Sequence, residues 1–234
     1  RLAELLKKWA FLGKGLGDTH LTTHRIYTEA NAKPVNSPRR RLPISLREKA
    51  RQTFNEMLDL DVIEESASDW AAAVVPVIKS DGSVRIAIDY KPLNEVSKKD
   101  SYPMPRIDEI VEDLNGAKVF SKLDLTKGYY QIRMHKPDRP KTAFRFEDKL
   151  YQFKRMPFGL HSAPQTFQRL MHRVLGELPF ARVYLDDIVV FSGSMQEHVK
   201  HLHEVFKALQ RANLRIHLSK CVFGAAEIEF LGYR

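Results

Sequence analysis

Two aspartates, Asp186 and Asp187, stand side by side in ARVYLDDIVVFSG (181–193), a stretch that otherwise reads as buried strand. Val183, Tyr184 and Leu185 precede them and Ile188, Val189, Val190 and Phe191 follow, all types that favour a pleated, half-buried surface. An ionised carboxylate in such a place is costly unless it is paired or ligates a metal, and a second like charge beside it raises the cost. A divalent cation is the expected partner, reached by both carboxylates from the tight turn of a hairpin whose arms are the apolar flanks. A third acid, Asp124, comes 62 positions before Asp186. It closes the strand-like KVFSKLDL (118–125), where Val119, Ser121, Leu123 and Leu125 alternate with Phe120, Lys122 and Asp124, so that Asp124 faces away from the core. Brought together, the three acids would hold two hard cations about 3.5–4 Å apart, the arrangement for in-line phosphoryl transfer. Oxygen-only ligation favours Mg²⁺ or Mn²⁺ over Zn²⁺.

Those acids need a rigid frame, and the chain can supply one. It has 234 residues, 43% of them hydrophobic and 29% charged, enough for a substantial core. The formal charge of +9 makes a polyanionic partner plausible. The single cysteine, Cys221, excludes an internal disulfide and a cysteine-based zinc site, and fits intracellular, reducing surroundings. No apolar run approaches the roughly 18–20 residues of a membrane helix, and no signal peptide is evident. The chain lacks an initiating methionine and stops just after FLGY, as an excerpt of something longer would.

Residues 1–12 have helical spacing, and the Gly-x-Gly that follows reads as a turn rather than a phosphate loop. KPVNSPRRRLP (33–43) is extended, with Arg39, Arg40 and Arg41 reading as a solvated linker. Ser45 with Glu48 forms a predicted capping box for a helix faced by Leu46, Ala50, Phe54, Met57 and Leu58. Asp81-Gly82 between two apolar segments signals a hairpin carrying Lys79 and Arg85. Helices are predicted from Pro105 to Asn115, from Pro164 along Phe167, Leu170, Met171, Val174 and Leu175, and from a second capping box, Ser194 with Glu197, to about Asn213. His198, His201 and His203 on that last helix read as solvated surface residues. LRIHLS (214–219) alternates like an edge strand. The order of elements predicts an α+β fold, an antiparallel sheet backed by helices.

Five segments carry a family resemblance: KLDLTKGYYQI (122–132), RMPFGLHSAPQTFQRLM (155–171), VYLDDIVVFS (183–192), FLGY (230–233) and VPVIKSDGSVRIAIDYKPLNEV (75–96). With KDSYPMPRIDEI (99–110) they are colinear with reverse transcriptases, and the chain from about Thr19 onward closely resembles the polymerase of gypsy-like LTR retrotransposons. That resemblance implies right-hand polymerase fingers and palm without a thumb: an N-terminal extension and linker at 1–44, fingers at 45–117 and 142–160, palm at 118–141 and 161–234. It implies that Asp124, Asp186 and Asp187, with the Leu125 carbonyl, hold two Mg²⁺ ions (Mn²⁺ as an alternative). Lys79 and Arg85 would neutralise the phosphates of the incoming nucleotide. Tyr129 would lie under the sugar and exclude a 2′-hydroxyl, and Phe158-Gly159 would flank the nucleotide pocket. Tyr184, Ala163-Pro164 and Leu231-Gly232-Tyr233 would serve the template and primer, and Lys220 would donate a proton to pyrophosphate. The implied activity is RNA-directed DNA polymerisation. Implied partners are RNA and DNA template-primer, deoxynucleoside triphosphates, and the thumb, connection and RNase H domains of a polyprotein. A cytoplasmic virus-like particle, or the nucleus, is the implied location. Low processivity is expected of the fragment alone. The alternatives are a domesticated, non-catalytic relative that binds nucleic acid, and an RNA-dependent RNA polymerase, against which Tyr129 speaks.

Overall fold

The structure, a computed structural model, describes residues 1–78 and 84–233. The helices in chain order are α1 (Leu2–Lys8), α2 (Ile44–Asp59), α3 (Lys91–Glu95), α4 (Ile107–Asp113), α5 (Ala163–Leu175) and α6 (Met195–Arg211). The strands are β1 (Thr23–His24), β2 (Ile63–Glu65), β3 (Ala73–Ile78), β4 (Val84–Asp89), β5 (Val119–Asp124), β6 (Arg133–Met134), β7 (Phe144–Phe146), β8 (Lys149–Phe153), β9 (Ala181–Tyr184), β10 (Asp187–Ser192) and β11 (Val222–Ala225). Among the described residues no helix is long and apolar enough to cross a membrane.

The chain divides into two compact units, one of Arg1–Thr22, Ser101–Gln131 and Pro164–Arg234, the other of Thr23–Asp100 and Ile132–Ala163. These units differ from the segments expected from sequence at residues 1–22, 101–117, 132–141 and 161–163, and residues 23–44 belong to the second unit. Residues 1–22 belong to the first unit because Trp9 and Leu12 are buried and the Thr19 N–H donates to the Gln131 carbonyl at 3.0 Å. Residues 101–117 join them because Ile110 of α4 shares an apolar cluster with Val189 and Phe230. Residues 132–141 fall in the second unit, where Arg133 pairs with Thr23 and the Met134 N–H donates to the Lys154 carbonyl at 2.8 Å.

In the first unit the sheet runs β11-β5-β10-β9, antiparallel throughout. β5 buries Val119, Ser121 and Leu123 and leaves Phe120, Lys122 and Asp124 half-buried, the alternation expected of a strand with two unlike faces. One face lies under α6, whose buried stripe is His198, Leu202, Val205, Phe206 and Leu209. The Ser194 hydroxyl accepts from the Glu197 N–H at 3.3 Å, so α6 starts where its capping box predicts. On the other face Val189 packs with Ile110 and Phe230, flanked by Phe120, Tyr184 and Leu231. LRIHLS does not form the expected edge strand. Ile216 makes a single bridge to Leu125, the His217 N–H is taken by the Asp124 carbonyl at 2.8 Å, and the chain turns at Leu218–Lys220 before β11.

The α6 histidines are not solvated as expected. His198 is fully buried, its Nε2 at 2.7 Å from the Ser121 hydroxyl and its Nδ1 at 2.8 Å from that of Ser192. The Ser192 hydroxyl also meets His201 Nδ1 at 2.8 Å, and His203 Nδ1 accepts from the Trp9 indole at 3.1 Å. Burial and then the neighbouring His201 push His198 down from 6.5 to about 4. Because its folded pKa lies below its unfolded value, the unfolded chain binds the extra proton. The neutral ring's contribution is therefore intact above pH 6.5 and is lost as pH falls toward 4. Urea denaturation of wild type and His198→Asn across this window should show the wild type losing about 2 kcal/mol more than the variant.

In the second unit β3 and β4 pair antiparallel from Ala73↔Asp89 to Ile78↔Val84, a hairpin ribbon whose Asp81-Gly82 turn lies outside the described residues. A β2-β8-β7 sheet packs its Phe144 and Phe146 against Phe54 of α2, with ring centroids at 5.3 and 4.2 Å. α2 begins at Ile44 rather than at the Ser45–Glu48 box. Pro43 is its N-cap, with no side-chain cap bond, and its φ of −50° leads the chain into the first turn.

Candidate active site

The site is made by strand register. Asp187, first residue of β10, lies directly opposite Asp124, last residue of β5, and opposite Tyr184 of β9. Directly opposed residues of an antiparallel pair share a face, so the Asp124 and Asp187 carboxylates emerge together. Leu185 and Asp186 make the intervening two-residue turn, with Leu185 at φ 53°, a conformation unfavourable for a branched side chain. Gln168, 3% exposed on α5, holds that turn: its Oε1 accepts from the Leu185 N–H at 2.8 Å and its Nε2 donates to the Val183 carbonyl at 3.0 Å.

Asp186 is crowded. A Cβ added at Gly128 would stand 3.0 Å from Asp186 Oδ1 and 3.1 Å from the Phe167 ring, so the loop after β5 approaches closely only because residue 128 has no side chain. Partial desolvation, then Asp124, then Asp187 push the Asp186 carboxyl up to about 6. The residue keeps exposed surface, and repulsion from two neighbouring carboxylates is the contribution that survives solvent access. Tyr129 is buried against Phe167 at 5.3 Å between centroids, and its hydroxyl is raised to about 12 by burial and by Asp186. Tyr129 and Asp186 are therefore close enough to sense each other.

Lys122, two residues before Asp124 on the same face, places its ammonium 3.0 Å from Asp187, 3.4 Å from the Glu229 carbonyl and 6.0 Å from the Phe230 ring centroid. Phe230 and Tyr233 exchange backbone hydrogen bonds of 2.9 Å around a turn in which Leu231 and Gly232 have φ of 51° and 84°. The turn expected to hold a primer thus rests on the sheet face that carries Asp124 and Asp187, with Tyr233 exposed. Leu125 is buried and bridged to Ile216. Lys220 is exposed and adjoins Cys221, whose sulfur accepts from the Asp124 N–H at 3.4 Å.

The structure accordingly brings together Asp124, Leu125, Asp186, Asp187, Tyr129, Tyr184 and the 231–233 turn within one unit. Arg85, opposite Val77, belongs to the other unit, as do Phe158, which is exposed, and Gly159, at φ 94° with its carbonyl accepting from Asn94 at 2.8 Å. Ala163 and Pro164 stand at the boundary between the units and open α5, and Lys79 lies outside the described residues. Gly128, Gln168 and Lys122 were not singled out from sequence as site residues. Lys122 alone left a signal, its place on the Asp124 face.

Among the described residues no three His, Cys, Asp or Glu side chains stand ready-made around a metal position. The donor chemistry nonetheless fits a hard divalent cation, whose charge would relieve the repulsion that raises Asp186.

A family described as "Reverse transcriptase (RNA-dependent DNA polymerase)" matches residues 77–234. The Retrovirus-related Pol polyprotein from transposon 297 of Drosophila melanogaster is 37% identical over 244 residues, covering 100% of this chain and 23% of its own length. The Transposon Tf2-3 polyprotein of Schizosaccharomyces pombe is 38% identical over 194 residues, covering 82% and 15% respectively. This chain therefore spans less than a quarter of either relative. Among solved structures, the foamy viral protease-reverse transcriptase in complex with an RNA/DNA hybrid superposes with a TM-score of 0.91 at 26% identity over 99% of this chain and 32% of that one. The form in complex with double-stranded DNA gives 0.90 at 26% identity, over 98% and 41%.

Proposed function

Because this chain belongs to the reverse transcriptase family, we propose that it houses the nucleotidyl-transfer centre of an RNA-directed DNA polymerase, extending a primer 3′-hydroxyl with deoxynucleotides. The observation that carries this is the Asp124↔Asp187 strand pairing, with Asp186 crowded by both. Asp124, Asp186 and Asp187, with the Leu125 carbonyl, would hold two Mg²⁺ ions, Mn²⁺ substituting. Those ions supply acidification of the attacking hydroxyl and neutralisation of charge on the triphosphate. Tyr129 provides a wall beneath the sugar, and Lys79 and Arg85 offset phosphate charge. The 231–233 turn orients the primer terminus, and Lys220 is a proton donor for the leaving pyrophosphate. RNA and DNA strands and deoxynucleoside triphosphates are the proposed partners, together with further domains of a polyprotein such as a thumb and an RNase H.

The test is primer extension on an RNA template with Mg²⁺, by this chain alone and within a longer segment continuing beyond residue 234. Extension that is lost in Asp186→Asn supports the proposal. Equal extension by wild type and variant refutes it. Oligonucleotide binding without extension by either form indicates a non-catalytic binder.

Two further outcomes follow from the site. Tyr129→Ala should raise ribonucleotide incorporation relative to deoxynucleotide by about tenfold or more, read from single-nucleotide kcat/KM ratios, because the excluding wall is removed. Lys122→Met should tighten divalent-cation binding about threefold, measured by Mn²⁺ electron paramagnetic resonance, since its ammonium competes for Asp187 in a partly solvated pair. In an Asp187→Asn background the same substitution should have little effect.

A further inference from the structure

The register that places Asp124 opposite Asp187 is not the one that the side chains on the buried face of β5 and β10 would choose by themselves. On that face, under α6, the observed pairing sets Ser192 opposite Val119, Val190 opposite Ser121 and Ile188 opposite Leu123. A slip of β10 by two residues keeps every side chain on its own face, since the side-chain period of a strand is two. It would set Ser192 opposite Ser121, Val190 opposite Leu123 and Ile188 opposite Leu125, a pairing of like with like. Asp124 would then face Val189, and the repulsion between opposed carboxylates would be gone. Phe120 opposite Phe191 and the 3.0 Å Lys122–Asp187 ion pair support the observed register, but both lie on the other face. The buried face needs its own reason.

That reason is His198. Its ring, carried by α6, bonds one serine from each strand, Ser121 through Nε2 at 2.7 Å and Ser192 through Nδ1 at 2.8 Å. The two nitrogens of an imidazole point away from each other, so hydroxyls bonded to both stand about 7 Å apart. Diagonal neighbours across an antiparallel pair are about 7–8 Å apart, and directly opposed ones about 4.5–5.5 Å. Ser121 and Ser192 are diagonal in the observed register. In the slipped one they would be directly opposed, too close together for one ring to bond both. The bridge is also anchored at each end. The Gly224 N–H of β11 donates to the Ser121 hydroxyl at 3.0 Å, and the Ser192 hydroxyl lies 2.8 Å from Nδ1 of His201, whose ring stacks on Phe180 at 3.8 Å between centroids. With His198 protonated on Nδ1, the donors run in one direction from Gly224 through Ser121, His198 and Ser192 to His201, and both hydroxyl protons find an acceptor. We propose that His198 is a positioning residue for nucleotidyl transfer: its bridge between Ser121 and Ser192 selects the register in which Asp124 and Asp187 lie opposite each other. The reaction it serves rests on the polymerase reading, whereas the selection of register does not.

The test compares His198→Leu with the triple variant Ser121→Ala/His198→Leu/Ser192→Ala. The single variant takes the ring from two buried hydroxyls and should lose both stability and activity. The triple variant makes the same region apolar and should recover a melting temperature within about 5 °C of wild type. A packing role would bring activity back with stability. Register selection instead leaves single-nucleotide kcat about a hundredfold low in the triple variant, with primer KM changed about threefold or less. Cross-strand nuclear Overhauser contacts between backbone protons report the register without any reaction: wild type should connect Asp124 with Asp187, and the triple variant should connect Asp124 with Val189. His198→Gln, which keeps a donor near the Nε2 position and loses the Nδ1 bond, should show the same shift in part, with kcat about tenfold low. Wild-type kcat in a folded triple variant, or wild-type kcat and contacts in His198→Gln, would overturn the proposal. Contacts that shift as expected, with no primer extension by wild type, would uphold the register selection and place the failure in the polymerase reading.

Discussion

Asp186→Asn is expected to lower primer extension by about a thousandfold and, in the absence of divalent metal, to raise the melting temperature at neutral pH. Both effects come from the same crowding. Asp186 has a folded pKa of about 6 against 3.8 for the free carboxyl. With the folded pKa above the unfolded one, the fold favours the protonated acid. Its stabilising share is complete below pH 3.8 and is lost as pH rises through 6, so at pH 7.5 the ionised carboxylate is a burden on the metal-free fold. Asparagine keeps the shape and never ionises. Allowing for the solvent that reaches this residue, the gain should be about 1 kcal/mol, or a few degrees in melting temperature. Differential scanning calorimetry at pH 7.5 and pH 4.5 measures it: the advantage should be present at the higher pH and largely absent at the lower. A destabilised variant at pH 7.5 would show that Asp186 is not under repulsion.

The second large effect is expected at Gln168, which touches the turn through its amide. Gln168→Leu keeps an apolar body on α5 but deletes both bonds to the β9–β10 turn, leaving the Leu185 N–H and the Val183 carbonyl without their partner. A buried polar group left unsatisfied costs about 1–3 kcal/mol, so denaturant unfolding should show a loss of about 2–4 kcal/mol for the pair. Activity should fall further than stability explains. Leu185 at φ 53° needs external restraint, and a turn that relaxes moves Asp186 and Asp187 relative to Asp124. The expected signature is a kcat reduced about a hundredfold at a temperature where the variant remains folded, with a smaller change in primer KM. Loss of stability with kcat preserved would make Gln168 a packing residue only.

The acids were legible in sequence because two simple periodicities met at them. Alternation in KVFSKLDL put Asp124 on the less buried face, and two apolar arms around Asp186-Asp187 required a tight turn. The structure has both, with the turn made by Leu185 and Asp186 and with Asp187 already in β10, opposite Asp124, a register that the sequence did not indicate. The Ser194–Glu197 box was legible for a similar reason, since its signal is local. Ser45–Glu48 carried the same local signal and lost to Pro43, whose backbone starts α2 two residues earlier. His198 was misread because its polar type was weighed above its spacing, although it lies one turn before Leu202 on the buried stripe. The serines that make its burial tolerable come from β5 and β10, far away in sequence. Gln168 was illegible on the same ground: its role depends on the Val183 carbonyl and the Leu185 N–H, which only the fold brings near.

The discontinuity of the first unit carries a consequence for biosynthesis. β5 must wait for both of its neighbours, β10 and β11, which are made only after the 132–163 segment of the second unit has been translated. At about 5–20 residues per second, the ribosome takes roughly 3 to 14 s to travel from Asp124 to Ser192. Throughout that interval the nascent strand has two unsatisfied edges, and a translational pause there would lengthen its exposure to mispairing. The carboxylates meet only after the apolar partners of their strands have been synthesised, so the repulsion among them arises when the sheet able to withstand it is already at hand.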